Sequence, residues 1–283
     1  MSGANNGPTG GFWHTPLGVG VLTAILGAVI TAAITPVIAN SQGIFKNSDA
    51  VQPSVFASLS QAPAPVAPVS SSPRSPSPVS SHPTAPAPTL HARDYVLTEG
   101  LETDGLVRDS IPKNSPESQD SDAKFAACLG VPIAQVQTHA IDSADGPDLK
   151  SADELTYVNS HADVLPPAEV TRDRTVFGLA QAARCVGLLF FPMFQKEISG
   201  NGWSATLDST HSMSAPAGAT IAVRIAVTIT AANGNYIPCT FDNIFIMSGR
   251  VETWIRVSQL NGTPDPILEQ NLALQVAGKA ARQ

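Results

Sequence analysis

A few side chains in this sequence have chemistry to offer. His139, His161 and His211 could bind a metal ion or move protons if folding brought them together. None of them sits in an HxH or HExxH pattern, so their spacing builds no ready-made metal site. The segment 142–148, DSADGPD, superficially suggests a calcium loop. It lacks the alternating oxygen ligands of an EF-hand and is expected to be an acidic turn in water. Ser204 and Ser258 have no neighbouring base and no GxSxG elbow, which leaves them without the activation a nucleophile needs. No P-loop and no GxGxxG is present, so no cofactor is expected, and no catalytic, cofactor-binding or metal residue is assigned. Trp203 and Trp254 are expected to pack in the core or on a sheet face rather than to line a groove.

The thiols are Cys128, Cys185 and Cys239, with no CxxC pair among them. Zinc sites cluster their ligands, so zinc is not expected. Two readings stay open at this point. In an exported domain two of the three would form a bridge and leave one over; in a reducing compartment all three would be small buried thiols.

The elements that would position these residues follow from local pattern. Asp122 to Leu129 reads as a short helix, with Ser121 or Asp122 as N-cap and Gly130 as its stop. Strands are expected at Val136–Ile141 and Leu155–Val164. Thr171 to Ile198 carries a broad apolar stripe and reads as one long helix, weakened by Gly178 and Gly187 and ended or kinked at Pro192. The cluster of Phe190, Phe191, Met193 and Phe194 is expected to be core or a pocket rim. From Gly202 the period becomes two: Trp203–Leu207, then Ile221, Val223, Ile225, Val227 and Ile229 alternating with smaller or polar residues, predict strands. Phe241–Met247 and Val251–Val257 flank Ser248-Gly249 as a hairpin, and Asp265 should cap a closing helix with Leu268, Leu272 and Val276 on one face. Helices, a strand meander and a closing helix predict an α+β domain with an antiparallel sheet packed with helices.

Ahead of that domain the chain has a different character. Leu17 to Ile38 is a run of 22 residues without a charge, and a bilayer core needs about 20 helical residues. The first 16 residues contain no Lys or Arg and the run is longer than a signal-peptide core, which favours a retained transmembrane helix over a cleaved leader. Pro63 to Pro88 holds nine prolines among Ala, Ser, Val and Thr, the composition of an extended spacer. The expected layout is an N-terminal tail at 1–16, a transmembrane helix at 17–38, a Pro/Ala/Ser-rich disordered linker at 39–93, an acidic lead-in at 94–120 and an exported α+β domain at 121–283. Lys46, beyond the run, would by itself place the large segment inside. The linker and the cysteines favour the outside, which is the orientation adopted. From Asp94 onward acidic side chains outnumber basic ones by nine, 22 against 13, with no basic stripe. Nucleic-acid binding, which draws on Lys and Arg against phosphate, is therefore excluded.

The segments FAACLGVP (125–132), QAARCVGLL (181–189), GWSATL (202–207), FDNIFIMSGRVETWIRVSQL (241–260) and TPDPILEQNLA (263–273), in that order, resemble actinobacterial exported sensor-like domains of the PknH-like extracellular domain family. The resemblance spans roughly Ser121 to Arg282. It implies an exported α+β fold, a structural disulfide between Cys128 and Cys185, and a ligand-binding cleft; the absence of a kinase domain and the extra Cys239 depart from the family pattern. The expectation is a membrane-anchored extracytoplasmic binding or sensor-like module, single-pass, for a small-molecule, lipid or glycan ligand of the cell envelope. The alternatives are an exported hydrolase whose site is assembled only by folding, and a structural or partner-docking envelope protein.

Overall fold

The computed structural model describes residues 89–109, 121–200 and 202–283. The charge-free run at 17–38, the tail at 1–16 and the linker up to residue 88 lie outside the described residues, as does the part of the acidic lead-in at 110–120. Among the described residues no single helix is long and apolar enough to cross a membrane.

Eight strands make one antiparallel sheet: β1 (Leu106–Arg108), β2 (Asp142–Asp145), β3 (Leu149–Ser151), β4 (Thr156–Val164), β5 (Ser204–Met213), β6 (Ile221–Thr230), β7 (Tyr236–Ser248) and β8 (Val251–Leu260). Their order is β1-β3-β4-β8-β7-β6-β5, with β2 also paired to β4. Four helices cover it: α1 (Ser121–Leu129), α2 (Pro167–Phe177), α3 (Ala182–Ser199) and α4 (Pro266–Ala280). An α+β architecture with an antiparallel sheet is therefore what the chain forms.

Both faces of the sheet are buried. On one, α1, α2 and α3 pack Phe125, Phe177, Val186, Phe190 and Phe194 against Val223, Ile225, Val227, Phe241 and Phe245. On the other, α4 packs Leu272, Ala273 and Val276 against Ile244, Ile246, Ile255, Val257 and Val164. The lead-in shares in this second layer, where Tyr95, Val96 and Leu97 are buried. Lys279 Nζ donates to the Val96 carbonyl at 2.6 Å, and Ser160 Oγ accepts from Leu97 N at 3.0 Å.

Several local signals hold. Asp265 Oδ1 accepts from Ile267 N and caps α4. Gly130 ends α1 with φ of 68°, a left-handed conformation that only glycine adopts without penalty, and Gly249 takes φ of 55° in the β7–β8 hairpin. Three expectations change. No strand forms at Val136–Ile141, which a 3-10 turn (Ile133–Gln135) precedes; the strand is β2, inside the segment expected to be an acidic turn. The long helix is two helices meeting at 93°, because residues 178–181 turn the chain after Phe177. There the side chain of Gln181 donates to the Leu129 carbonyl at 3.0 Å and holds the end of α1. Finally, α3 continues through Pro192. The carbonyl that Pro192 leaves unpaired belongs to Leu188, a residue 46% exposed, so water can satisfy it.

A disulfide joins Cys128 on α1 to Cys185 on α3 and closes a loop of sequence separation 57, as the resemblance implied. Cys239 is free and buried on β7, and burial pushes its thiol far up, so it is not a nucleophile near neutrality. Removing the bridge by the double change Cys128→Ala and Cys185→Ala should lower unfolding stability by about 2–4 kcal/mol, read as a fall in the denaturant midpoint of the full chain. An unchanged midpoint would mean that the bridge constrains nothing.

Candidate functional site

Strands β4 and β8 pair in register, with Asn159 opposite Arg256, His161 opposite Trp254 and Asp163 opposite Glu252. Directly opposed residues point to the same side of an antiparallel pair. Trp254 and Tyr157 lie in the cluster under α1–α3, so this polar row faces those helices. Every member of the row is buried. Buried charge is tolerated only when paired or neutralised, so each group has to be accounted for.

His161 is held between two carboxylates: Nδ1 lies 2.9 Å from Asp145 Oδ1 and Nε2 lies 3.1 Å from Asp163 Oδ1. Its ring stacks on Trp254 at a centroid distance of 6.1 Å. Burial by itself would lower its pKa, but the hydrogen bonds to Asp145 and Asp163 outweigh burial and push it up to about 9. At neutral pH it is an imidazolium with both nitrogens donating. No lone pair remains to take a proton, so His161 is not poised as a general base. The Ser143 hydroxyl donates to Asp163 Oδ1.

Beside this cluster, α1, α2 and β8 enclose a cleft of about 230 Å³ counted with its solvent-open mouth, lined by Phe125, Val136, Thr138, Asp173, Val176, Phe177 and Glu252. Its depth has room for about one water-sized group. Asp173 and Glu252 face one another there. Burial, the larger cause for both, raises Asp173 to about 7 and Glu252 well above the carboxylate range; their proximity couples the two, and Asp163 pushes Glu252 further. Two buried carboxyls within reach of each other favour a shared proton over two negative charges. Arg172 Nε, 3.2 Å from Asp173 Oδ1, offsets part of the remaining charge. Among the described residues the buried hydroxyl of Thr138 has no hydrogen-bond partner. The cleft thus offers apolar walls, a carboxyl pair sharing a proton, and a spare hydroxyl.

The three histidines do not meet. His139 lies at the surface near Glu169, with Nδ1 to Oε1 at 3.5 Å, and His161 is on β4. His211 is on β5, four strand spacings away in the sheet, about 19 Å at 4.8 Å per spacing. Among the described residues no group of three His, Cys, Asp or Glu side chains could hold a metal ion. Asp145 belongs to the site, as a partner of His161, while Asp142 accepts from Ala92 N at 2.8 Å and ties down the lead-in. Ser258 is buried on β8, four residues beyond Trp254 and so about 14 Å along the strand from the level of His161, and no serine–histidine dyad forms. Asp173, Glu252 and Thr138 were not anticipated from sequence. A signal for Glu252 existed: with Trp254, Arg256 and Ser258 it marks every second position of a strand whose other positions are Val251, Thr253, Ile255 and Val257.

Across the sheet, Glu269 on α4 sits beside Asp242, and burial first, then the hydrogen bond with Asp242, raises it to about 9. The sign for stability is the same throughout. Asp173, Glu252, Glu269 and His161 all have raised folded pKa values, so the folded chain keeps protons that the unfolded chain releases. Their contribution is full below the unfolded values and is lost as pH rises through about 7 to 9. The melting temperature should therefore fall steadily from pH 5.5 to pH 9, at about 1.4 kcal/mol per pH unit for each extra proton held. Glu252→Gln should flatten that slope while keeping the fold; a wild-type profile flat or rising across this window would contradict the assignment.

No protein-family model matches the sequence, and no curated protein matches it. Among solved structures, the solution structure of cyanobacterial PsbP (CyanoP) from Synechocystis sp. PCC 6803 is similar over 66% of this chain and 88% of its own, at 8% identity and a TM-score of 0.32. The crystal structure of the extracellular domain of PknH from Mycobacterium tuberculosis is similar over 63% of this chain and 82% of its own, at 11% identity and a TM-score of 0.31. Both are distant structural similarities.

Proposed function

We propose that the chain is a membrane-anchored, extracytoplasmic binding or sensor-like module, with the cleft between α1, α2 and β8 as its ligand site. The observation that carries the binding role is the cleft's make-up: aromatic and aliphatic walls around a few convergent polar groups, two of them carboxyls with strongly raised pKa. The Cys128–Cys185 bridge supports an oxidising compartment, and the charge-free run at 17–38 with the proline-rich stretch after it supports an anchor and a stalk. A single hydroxyl of an envelope lipid headgroup or glycan suits the depth of the site, where it can donate to Asp173 or Glu252 and accept from Thr138.

Two measurements test this reading. The full chain, purified in nonionic detergent, should be stabilised saturably in thermal melts by envelope lipid extract or by neutral oligosaccharides, and Thr138→Val with Glu252→Gln should abolish that response. No stabilisation by either probe would count against the binding role. For topology, a membrane-impermeant maleimide on intact cells should label Ser81→Cys in the stalk and leave Ser2→Cys untouched. The reverse pattern would put the domain inside.

A further inference from the structure

Arg256 on β8 is only 3% exposed, and among the described residues no carboxylate stands against it. Its guanidinium lies over two rings, 5.0 Å from the centroid of Phe190 and 5.2 Å from that of Trp254. Such contacts attract a cation but leave its N–H groups unsatisfied. Among the described residues it makes one hydrogen bond, from Nε to Asn243 Oδ1 at 2.9 Å. Four of its five N–H donors are thus without a protein acceptor.

The same shortfall recurs around it. Asn159, Arg256 and Asn243 form one in-register row across β4, β8 and β7, and Ser258 follows Arg256 on the same face. Asn243 Nδ2, Asn159 Oδ1 and the Ser258 hydroxyl are each buried without a hydrogen-bond partner among the described residues. Native interiors rarely leave such groups unpaired, and three of them around Arg256 on adjacent strands need a common explanation. The other buried face supplies the contrast: Arg224 there is held by both oxygens of the fully buried Asp242.

From this cluster we infer that Arg256 anchors a buried anion site, separate from the cleft, that takes a compact singly charged anion: a halide or the carboxylate of a small acid. One guanidinium balances one negative charge. The Arg256 Nη groups, Asn243 Nδ2 and the Ser258 hydroxyl supply donors, and a half turn of the Asn159 amide adds another. The rings of Phe190 and Trp254 limit the size of what enters. Burial alone lowers the Arg256 pKa to about 9, the direction that an anion beside it would reverse.

The test uses the full chain in nonionic detergent at fixed ionic strength, with potassium chloride or potassium acetate replacing potassium gluconate. Chloride, acetate or both should raise the melting temperature saturably by several degrees, and the volume-conserving Arg256→Met should lose that rise. Broadening of the ³⁵Cl resonance by wild type gives a reading independent of stability. Broadening that acetate reverses assigns a carboxylate-accepting site, and broadening that acetate leaves intact assigns a halide site. If Arg256→Met does not fold, Arg256→Lys should shift the half-saturating anion concentration. Identical melting in all three salts with no ³⁵Cl broadening, or the same response in the Arg256 variants, would overturn the site and leave Arg256 hydrated by buried water only.

Discussion

Strands β4, β7 and β8 lie at the centre of a sheet that is covered on both faces, and that double cover governs the rest of the molecule. An antiparallel sheet with one wet face can leave its polar positions to water. Here α1–α3 close one face and α4 with the lead-in closes the other, so the polar residues on the central strands must find partners inside. The results are visible group by group: an imidazolium between two carboxylates, a carboxyl pair sharing a proton, and an arginine locked to an aspartate. Low dielectric surroundings strengthen each of these pairings and raise the cost of any that is missing.

The two faces use their polar groups differently. On the α4 face, Arg224 and Asp242 form a two-pronged ion pair, with the neutral carboxyl of Glu269 beside it. It ties α4 to β6 and β7, and the arginine there has its counter-charge within the protein. On the opposite face the pairing is incomplete: Thr138 keeps a free hydroxyl in the cleft, and Arg256 keeps four N–H groups among amides and rings. A residue satisfied only from outside the protein is the mark of a site, whereas a residue satisfied within it is architecture. Both proposed sites lie under α1–α3.

Much of the fold could be read from local pattern, because local pattern is set by near neighbours. The alternation from Ile221 to Ile229, the Ser248-Gly249 turn, the Asp265 cap and the stop at Gly130 depend on residues within a few positions, and all appear in the structure. The apolar stripe from Thr171 to Ile198 was harder, since the same composition serves one helix or two; the chain turns at 178–181, where the Gln181 side chain is spent on α1. The acidic segment at 142–148 reads as a solvated turn until β4 is set beside it, and then Asp145 has His161 to face. The site depended throughout on distant pairs: Asp173 with Glu252, Asp145 with His161, Asn243 with Arg256. Nothing in the spacing of those residues records that they meet.

Burial makes the polar groups of the covered face either pair or keep a proton, and His161 reports on that most directly. Long-range ¹H–¹⁵N NMR of its imidazole across pH 5–10 reads the protonation of both ring nitrogens. The structure requires a doubly protonated ring throughout neutral pH, titrating near 9. A ring that is neutral at pH 7 would mean that Asp145 and Asp163 do not hold it, and the pairing described for the covered face would fail with it.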